Sequence, residues 1–180
     1  MNSLRGRLLI AGANLWDPNF RRTVVLVGHH DEDGAVGVVL NRPTETRVAD
    51  AAPPLVPLVG ADEPVFVGGP VQPQAAVVVA DFEQPEAARL IAFGSIGFLP
   101  DESDPEVIGR IRAARVFAGY AGWGPGQLEA EVEEDSWIVE PAVAADVFTA
   151  LPDQLWEDVL RRKGRDFDLL RTMPVDPSMN

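Results

Sequence analysis

The sequence predicts an α+β domain of mixed α/β character, with a mostly antiparallel sheet and with helices concentrated in the C-terminal third. Short aliphatic runs between turn residues fill the first two-thirds, which is typical of strands. The last third changes to helical spacing of apolar residues. Apolar residues make up 46% of the 180 residues, enough for one core. We therefore expect one compact domain over residues 1–165, followed by a loose tail over 166–180.

Six or seven strands are predicted in the sheet-forming part. Asp17 and Asn19 belong to a turn between the first two strands, and the Asp33-Gly34 pair predicts a hairpin after the second. Pro43 ends the third strand because proline cannot donate to a ladder. A proline-rich surface connection follows over 53–64. The predicted strands cover residues 7–11, 23–28, 35–40, 65–67, 75–80, 90–93 and 115–118.

Three helices are predicted in the C-terminal third. The first contains Leu128 and Val132, one helical turn apart, and follows a Gly-Pro-Gly turn. The second covers residues 143–151. The third begins near Leu155 and ends before Gly164, with three basic residues in its last turn.

Charge and composition exclude several classes of function. Fifteen basic residues against 28 acidic ones give a net charge of −13, and the first fifty residues are balanced at six of each. Such a field repels phosphate backbones, so we expect no direct nucleic-acid binding. No cysteine and only two histidines are present, which excludes thiolate and multi-histidine metal sites within one chain. We expect no cofactor.

Localisation follows from the lack of a long apolar segment. Apolar runs end after about six residues, far below the eighteen or so that a membrane-spanning helix needs. The apolar stretch after Arg7 is short and runs into Asn14 and Asp17, unlike a signal peptide. We therefore predict a cytoplasmic protein, and the sequence does not predict its oligomeric state.

Four motifs identify a family resemblance. They are DPNFRRT at 17–23, GAVGVVLNRP at 34–43, VGGPV at 67–71 and GYAGWGPGQLE at 119–129. In this order and spacing they resemble the YqgE/AlgH family of small bacterial proteins, over residues 4–164. The resemblance implies a compact α/β domain whose sheet folds on itself with flanking helices. It implies no reaction, although one member is labelled a transcriptional regulator on genetic grounds.

The sequence departs from this family before the fourth motif. Many relatives have a longer polar helical stretch there, whereas residues 101–112 are short and acidic in this chain. We expect the turn formers and small residues of the motifs, together with one tryptophan, to serve structure. These are Asp17, Asn19, Gly68, Gly69, Gly122, Trp123, Gly124 and Gly126.

The glycine-rich stretch 119–127 has two interpretations. Glycines before a helix can form an anion cradle from converging backbone N–H groups. This stretch lacks the Lys and Ser/Thr of a phosphate loop, and five acidic residues follow it. We favour packing, with Tyr120 and Trp123 lying over the glycines.

The preferred ligand site combines Arg22, Asn41 and Arg42, with His30 as a further candidate. Arg22 begins one predicted strand and Asn41-Arg42 ends the next, so an antiparallel hairpin brings them to one end of the sheet. Two guanidinium groups and an amide suit a carboxylate or phosphate. The structural alternative pairs Arg22 with Asp17 and lets the asparagines cap turns.

His29, His30 and Asp31 allow a catalytic alternative. Adjacent strand residues point to opposite faces, so one histidine at most faces a given site. His30 oriented by Asp31, acting on Thr23 or on a water molecule, would give a hydrolase-like centre. No serine lies in a nucleophile elbow, so we assign no catalytic residue and favour a structural role for His30.

These observations favour a non-enzymatic binding or regulatory domain that acts through a protein partner or a small anionic ligand. The hydrolase-like enzyme is the alternative. A DNA-binding regulator follows only from a family label. It conflicts with the net charge of −13 and with a lysine content of one.

Overall fold

Ten strands and five helices form the described part of the chain. The computed structural model describes residues 2–101, 104, 106 and 110–164. The tail predicted over 166–180 lies outside the described residues. The strands are β1 (Arg7–Ala11), β2 (Val24–Asp31), β3 (Gly34–Val39), β4 (Pro43–Arg47), β5 (Pro64–Val67), β6 (Val71–Phe82), β7 (Leu90–Phe93), β8 (Ile96–Phe98), β9 (Ile111–Trp123) and β10 (Trp137–Pro141). The helices are α1 (Val48–Ala51), α2 (Val56–Val59), α3 (Gln127–Glu133), α4 (Ala144–Val147) and α5 (Leu155–Lys163).

The strands form one curled, mostly antiparallel sheet in the order β10-β1-β2-β3-β9-β6-β8-β7. The hairpin predicted at Asp33-Gly34 joins β2 to β3, with Asp31 opposite Gly34. β5 adds a parallel partner to β9, with Phe66 opposite Phe117, and β4 pairs with β5. The sheet curls until β7 lies against β2. The predicted fold class is confirmed, with three of the five helices after residue 126.

The curled sheet encloses one apolar core, and helices cover two further cores on its outer face. The inner core lies within the curl and is closed at one end by α5, whose Trp156 indole donates to the Ala11 carbonyl (3.1 Å). The second core lies on the outer face of β1–β3 under α3 and contains Leu128. The third lies on the outer face of β6 and β9 under α1 and α2, around Val78 and Val116.

The free edge of β10 is covered by side chains of α5. Lys163 donates from Nζ to the Val139 carbonyl (2.9 Å), and Arg162 donates to the Pro141 carbonyl (3.1 Å). These bonds occupy backbone carbonyls of β10 that could otherwise pair with a strand of another molecule. The C-terminal cations predicted for this helix therefore protect a sheet edge.

The predictions missed several elements and misjudged one helix. Strands β4, β8 and β10 and helices α1 and α2 were not predicted, and β6 and β9 are longer than the apolar runs that identified them. The helix predicted over 143–151 is only Ala144–Val147. Arg115 explains the early end because its guanidinium donates to the carbonyls of Val147 (3.1 Å) and Thr149 (2.9 Å). Those acceptors therefore have a tertiary partner.

Candidate functional site

Asn41 ties the end of β3 to the start of β2. Its Oδ1 accepts a hydrogen bond from the Val24 N–H (2.9 Å), and its Nδ2 donates to the Arg22 carbonyl (2.9 Å). Arg22 has a left-handed backbone, with φ of 52°, and its guanidinium lies over the Trp156 ring at 4.8 Å. Both polar ends of the Asn41 amide are therefore bonded to backbone.

Arg42 holds the turn before β2 in place. Nη1 donates to the Asn19 carbonyl (2.7 Å) and Nη2 donates to the Arg21 carbonyl (3.1 Å). Burial, followed by the like charge of Arg21, lowers the pKa of the Arg42 guanidinium. Asp17 forms the expected turn through Oδ1, which accepts from the Asn19 N–H (2.8 Å). The structure thus brings Arg22, Asn41 and Arg42 together, with backbone carbonyls as hydrogen-bond partners of Asn41 and Arg42.

His30 lies at the opposite end of β2, about 20 Å along the strand from this cluster. Its side chain is only 3% exposed. Nδ1 accepts from the Leu4 N–H (2.8 Å) and Nε2 lies 2.6 Å from Glu129 Oε1. Because Nδ1 accepts a hydrogen bond, the neutral ring carries its proton on Nε2 and donates it to Glu129. The four predicted ligand residues therefore do not form one site.

The pairing of His30 with Asp31 is wrong. Asp31 instead bonds His29, with Nε2 and Oδ2 2.7 Å apart, because residues two apart share a face of a strand. That bond is the main reason that the pKa of Asp31 is lowered. Thr23 lies at the far end of β2 and donates to the Phe20 carbonyl. With both nitrogens bonded and its ring buried, His30 has no free nitrogen to accept a proton from a substrate.

A β-bulge at Gly28 decides which histidine faces which side. Val27 lies opposite Gly37 and His29 opposite Val36, so Gly28 is the extra residue. The bulge reverses the alternation of β2. It turns His30 towards α3 and His29 towards the concave side of the sheet. A side chain at 28 is blocked, since a Cβ there would lie 2.5 Å from the Phe98 ring.

The fourth motif takes part in a structural hydrogen-bond network centred on Glu131, two residues beyond its end. Glu131 Oε2 accepts from the indole N–H groups of Trp123 (2.8 Å) and Trp137 (2.9 Å), and Oε1 accepts from Gln127 Nε2 (3.0 Å). Phe20 packs edge-on against Trp137, with ring centroids 5.8 Å apart. The pattern of acidic residues after the glycines did not reveal that Glu131 turns inward, because its indole partners come from two different strands.

The glycine motifs pack backbone against backbone. Gly119 is part of β9 rather than of a loop, and a Cβ on it would lie 2.6 Å from the Gly69 carbonyl oxygen. A Cβ on Gly69 would lie 2.2 Å from the Tyr120 backbone. Close packing, rather than an anion cradle, accounts for these glycines. Gly122 is different, because a Cβ there would make only ordinary contacts, the nearest at 3.8 Å.

An open cleft of about 580 Å³ lies at the end of the curled sheet opposite α5. We call it the mouth cleft. Its floor consists of side chains that pack against the inner core, and an exposed ion pair between Arg89 and Asp101 (2.8 Å) lies at its rim. The residues that shape it are Gly28, His29, Val36, Val77, Phe98 and Tyr120. Its volume is in the range of ligand-binding clefts, which are often found at the mouths of curled sheets.

A second cleft of about 300 Å³, here called the outer cleft, lies beside Pro54 and Leu55. Ala76, Val78, Leu99 and Asp101 border both clefts. Val78 and Leu99 belong to the third core, whereas the mouth cleft adjoins the inner core. The two clefts therefore flank β6 from opposite faces of the sheet.

Part of β6 between the clefts has an open side. β8 pairs with β6 only over Val79–Asp81, and no strand of the described residues pairs with residues 72–77 on the side away from β9. We call residues 72–77 the β6 edge. Gln72, Pro73, Gln74 and Ala76 are exposed there. Sequence reasoning missed this edge because the apolar run 75–80 predicted a strand but not which of its neighbours would pair with it.

Two absences hold for the described residues. No group of three or more His, Asp or Glu side chains in this part of the chain could hold a metal ion. Nor is any helix within residues 2–101, 104, 106 and 110–164 long and apolar enough to cross a membrane. The cytoplasmic location stays a prediction.

Known proteins resemble this chain over almost its whole length. A family model described as AlgH-like matches residues 8–168. A UPF0301 protein of Streptomyces coelicolor is 44% identical over 187 residues, covering all of this chain and 97% of the relative. A UPF0301 protein of Mycobacteroides abscessus is 43% identical, covering 97% of this chain and 87% of the relative.

Two solved structures share the fold. A crystal structure of a Corynebacterium diphtheriae protein is 31% identical with a TM-score of 0.85, covering 96% of this chain and 94% of that chain. The solution structure of the AlgH protein from Pseudomonas aeruginosa is 28% identical with a TM-score of 0.71, covering 97% of both chains. Neither description names a reaction or a ligand.

Proposed function

Because this chain belongs to the AlgH-like family, which confirms the resemblance of its motifs, we propose that it is a non-enzymatic binding domain. Its partner is a protein, and its binding surface consists of the mouth cleft, the outer cleft and the β6 edge between them. We call these three together the double cleft.

The observation that carries this proposal is the pair of clefts that meet at Ala76 and Val78. Small-molecule sites are commonly enclosed, whereas both clefts are open and share a strand edge. Apolar walls on two faces, with exposed backbone between them, suit a polypeptide that contributes side chains to both.

The contacts of four polar residues in and near the motifs support a non-enzymatic role. The side chains of Asn41, Arg42, His30 and Glu131 bond to backbone, to a helix or to indoles. They fix the fold around the double cleft and do not line it. His29, which bonds Asp31, lines the mouth cleft, but no serine or threonine is among the described residues that line that cleft.

A selection of random twelve-residue peptides displayed on phage tests the proposal. We expect an enriched sequence class that binds the full chain and is weakened at least tenfold by Val36→Glu, because a carboxylate would enter the apolar mouth cleft. Val67→Glu is the matched control, since the two strand valines are 41% and 40% exposed and only Val36 lines a cleft. Failure to enrich any class, or equal binding by Val36→Glu, would contradict the proposal.

A small anion near Arg22, Asn41 and Arg42 is a second candidate. The observation in its favour is the like charge of Arg21, which after burial is the next cause of the lowered pKa of Arg42 and which Asp17 offsets only in part. A bound phosphate or carboxylate would relieve that repulsion between neighbouring guanidinium groups. It ranks second because two of the Arg42 N–H groups already donate to backbone carbonyls.

A further inference from the structure

We propose that the partner binds as an added β-strand along the β6 edge, and that this strand is an extended segment with neighbouring apolar residues followed by basic ones. The inference rests on the proposed function and names the mode of binding and the chemistry of the bound segment.

The backbone of β6 is oriented for strand addition at Ala76, the first residue that pairs with β9 after the irregular stretch 72–75, in which Gln72 has a left-handed backbone (φ of 46°). Leu99 N–H donates to the Val78 carbonyl (3.0 Å), so Val78 turns its polar backbone groups away from β9. Ala76 lies two residues earlier and has the same orientation, because alternate residues of a strand bond to the same neighbour. Ala118 of β9 lies opposite Ala76, and its carbonyl accepts from the Gly68 N–H (2.9 Å). The Ala118 carbonyl therefore points away from β6, as expected if this pair of residues does not exchange hydrogen bonds. The N–H and C=O of Ala76 therefore point to the open side.

The position of the two clefts determines the side chains of the added strand. Successive side chains of a strand point to opposite faces. On the β6 edge, one face opens onto the mouth cleft beside Val77 and Phe98, and the other onto the outer cleft beside Leu55. Two neighbouring residues of the added strand would thus enter different clefts. Both need to be apolar, in contrast to the alternating pattern of a strand with one solvated face.

The negative charge of this protein favours basic residues in the bound segment. The chain has a net charge of −13, and Asp101, whose side chain is 83% exposed, lines both clefts. Asp101 forms an exposed ion pair with Arg89, and His29, which also lines the mouth cleft, pairs with Asp31. Exposed pairs of this kind are weak and can exchange partners. Basic residues after the apolar pair would meet Asp101 and the overall negative field.

Synthetic peptides test the proposal on the unmodified protein. The first probe is the blocked nonapeptide STVIVFKRS and the second is STVIVFEES. Two further probes are N-methylated versions of STVIVFKRS. One is methylated at the amides of its even-numbered residues, and the other at the amides of its odd-numbered residues. Fluorescence anisotropy measures the dissociation constant of each. We expect the acidic peptide to bind at least tenfold more weakly than the basic one. Because only one set of amides faces β6, one methylated peptide should lose at least tenfold and the other should bind normally.

A variant locates the binding on the protein. Ala76→Pro removes the outward N–H, on the side where no strand of the described residues pairs, and leaves the ladder with β9. We expect it to weaken the basic peptide at least tenfold. Val67→Pro is not a suitable control because the Val67 N–H donates to the Arg42 carbonyl (2.8 Å), so Val67→Glu is used again. The methylated peptides decide the question even if Ala76→Pro fails to fold.

The outcomes separate this inference from the proposed function. Equal binding of both methylated peptides overturns strand addition, and equal binding of the acidic peptide overturns the charge assignment. If none of these peptides binds while phage-selected peptides bind through Val36, strand addition is wrong and the proposed function stands. If sedimentation velocity shows a dimer that Ala76→Pro abolishes, the edge binds a second copy of this chain and the inference is overturned.

Discussion

Glu129 connects the hairpin of β2 and β3 to α3 through its side-chain contact with His30. His30 donates to Oε1, whereas Oε2 is buried without a hydrogen-bond partner among the described residues. The backbone amide of Glu129 and the His30 ring hold the pKa of this carboxyl below its usual value. A carboxyl whose pKa is lower in the folded state stabilises the fold above its unfolded pKa, and this contribution disappears as the pH falls through the folded pKa.

Glu129→Gln should reduce the acid sensitivity of the protein. The glutamine amide keeps an oxygen that accepts from His30 but loses the negative charge. Its NH₂ group takes the place of the buried Oε2, where it has no acceptor to donate to. We expect the variant to be less stable than the parent at pH 7, with the difference narrowing below about pH 4.3, where a glutamate of ordinary pKa is protonated. Urea unfolding from pH 3 to pH 7 measures this. The exposed Glu157→Gln is the control, and an unchanged pH profile for Glu129→Gln would refute the assignment.

The Gly28 bulge shows how one backbone position organises an element. It changes the alternation of β2 after Val27, and it leaves room for Phe98 of β8 where the curled sheet approaches itself. Gly122 belongs to a motif richer in glycine, yet its surroundings have space for a methyl group. The number of glycines in a stretch of sequence therefore does not indicate at which position the surrounding atoms leave no room for a side chain.

Paired substitutions test this contrast at the level of the strand. Gly28→Ala should lower the free energy of unfolding by about 1–3 kcal/mol, because its Cβ would displace the Phe98 ring. Gly122→Ala should change the free energy of unfolding by less than about 0.5 kcal/mol. Chemical denaturation of both variants gives the values. Adding Phe98→Leu to Gly28→Ala should recover part of the loss, and equal losses for the two single variants would show that the Phe98 contact is not the cause.

At the scale of the molecule, charge is distributed unevenly. The first fifty residues are balanced, so the whole of the −13 arises after residue 50. The arginines at 21, 22 and 42 lie in the balanced part, whereas Asp101, which lines the double cleft, lies in the acidic part. Long polyanions experience the field of the whole molecule, whereas a small anion responds to nearby groups.

This distribution predicts different results for large and small anions. A duplex DNA should show no mobility shift even at about 50 mM salt, where nonspecific binding is favoured. Pyrophosphate, the probe for the second candidate site, should raise the melting temperature by at least about 2 °C, and Arg42→Gln should remove that effect. Arg47→Gln is the control, since Arg47 pairs with Asp50 outside this cluster. A DNA shift would refute the charge argument, and an unchanged melting temperature would refute the anion site.

Much of the fold could be predicted because its signals are local. The Asp33-Gly34 turn, the aliphatic runs of β1 to β3 and the helical stripe of α5 depend on neighbouring residues. Short strands such as β8 and β10 could not be predicted, since three to five residues pair only because distant strands are present. The candidate site was harder to predict from the sequence. Arg22, Asn41 and Arg42 were placed together correctly, but the clefts and the β6 edge have no local signature.

The sequence by itself determined the family, the α+β class and the charge, because motif order, periodicity and composition are properties of the chain. Only the tertiary structure decided which side each histidine faces, through the bulge at Gly28. It also decided that His30 bonds Glu129, 99 residues away, and that Glu131 joins two indoles. The open edge of β6 exists because β8 is three residues long while β6 has twelve. Such differences in length and register arise only when strands assemble, and in this protein they create the surface that we propose for binding.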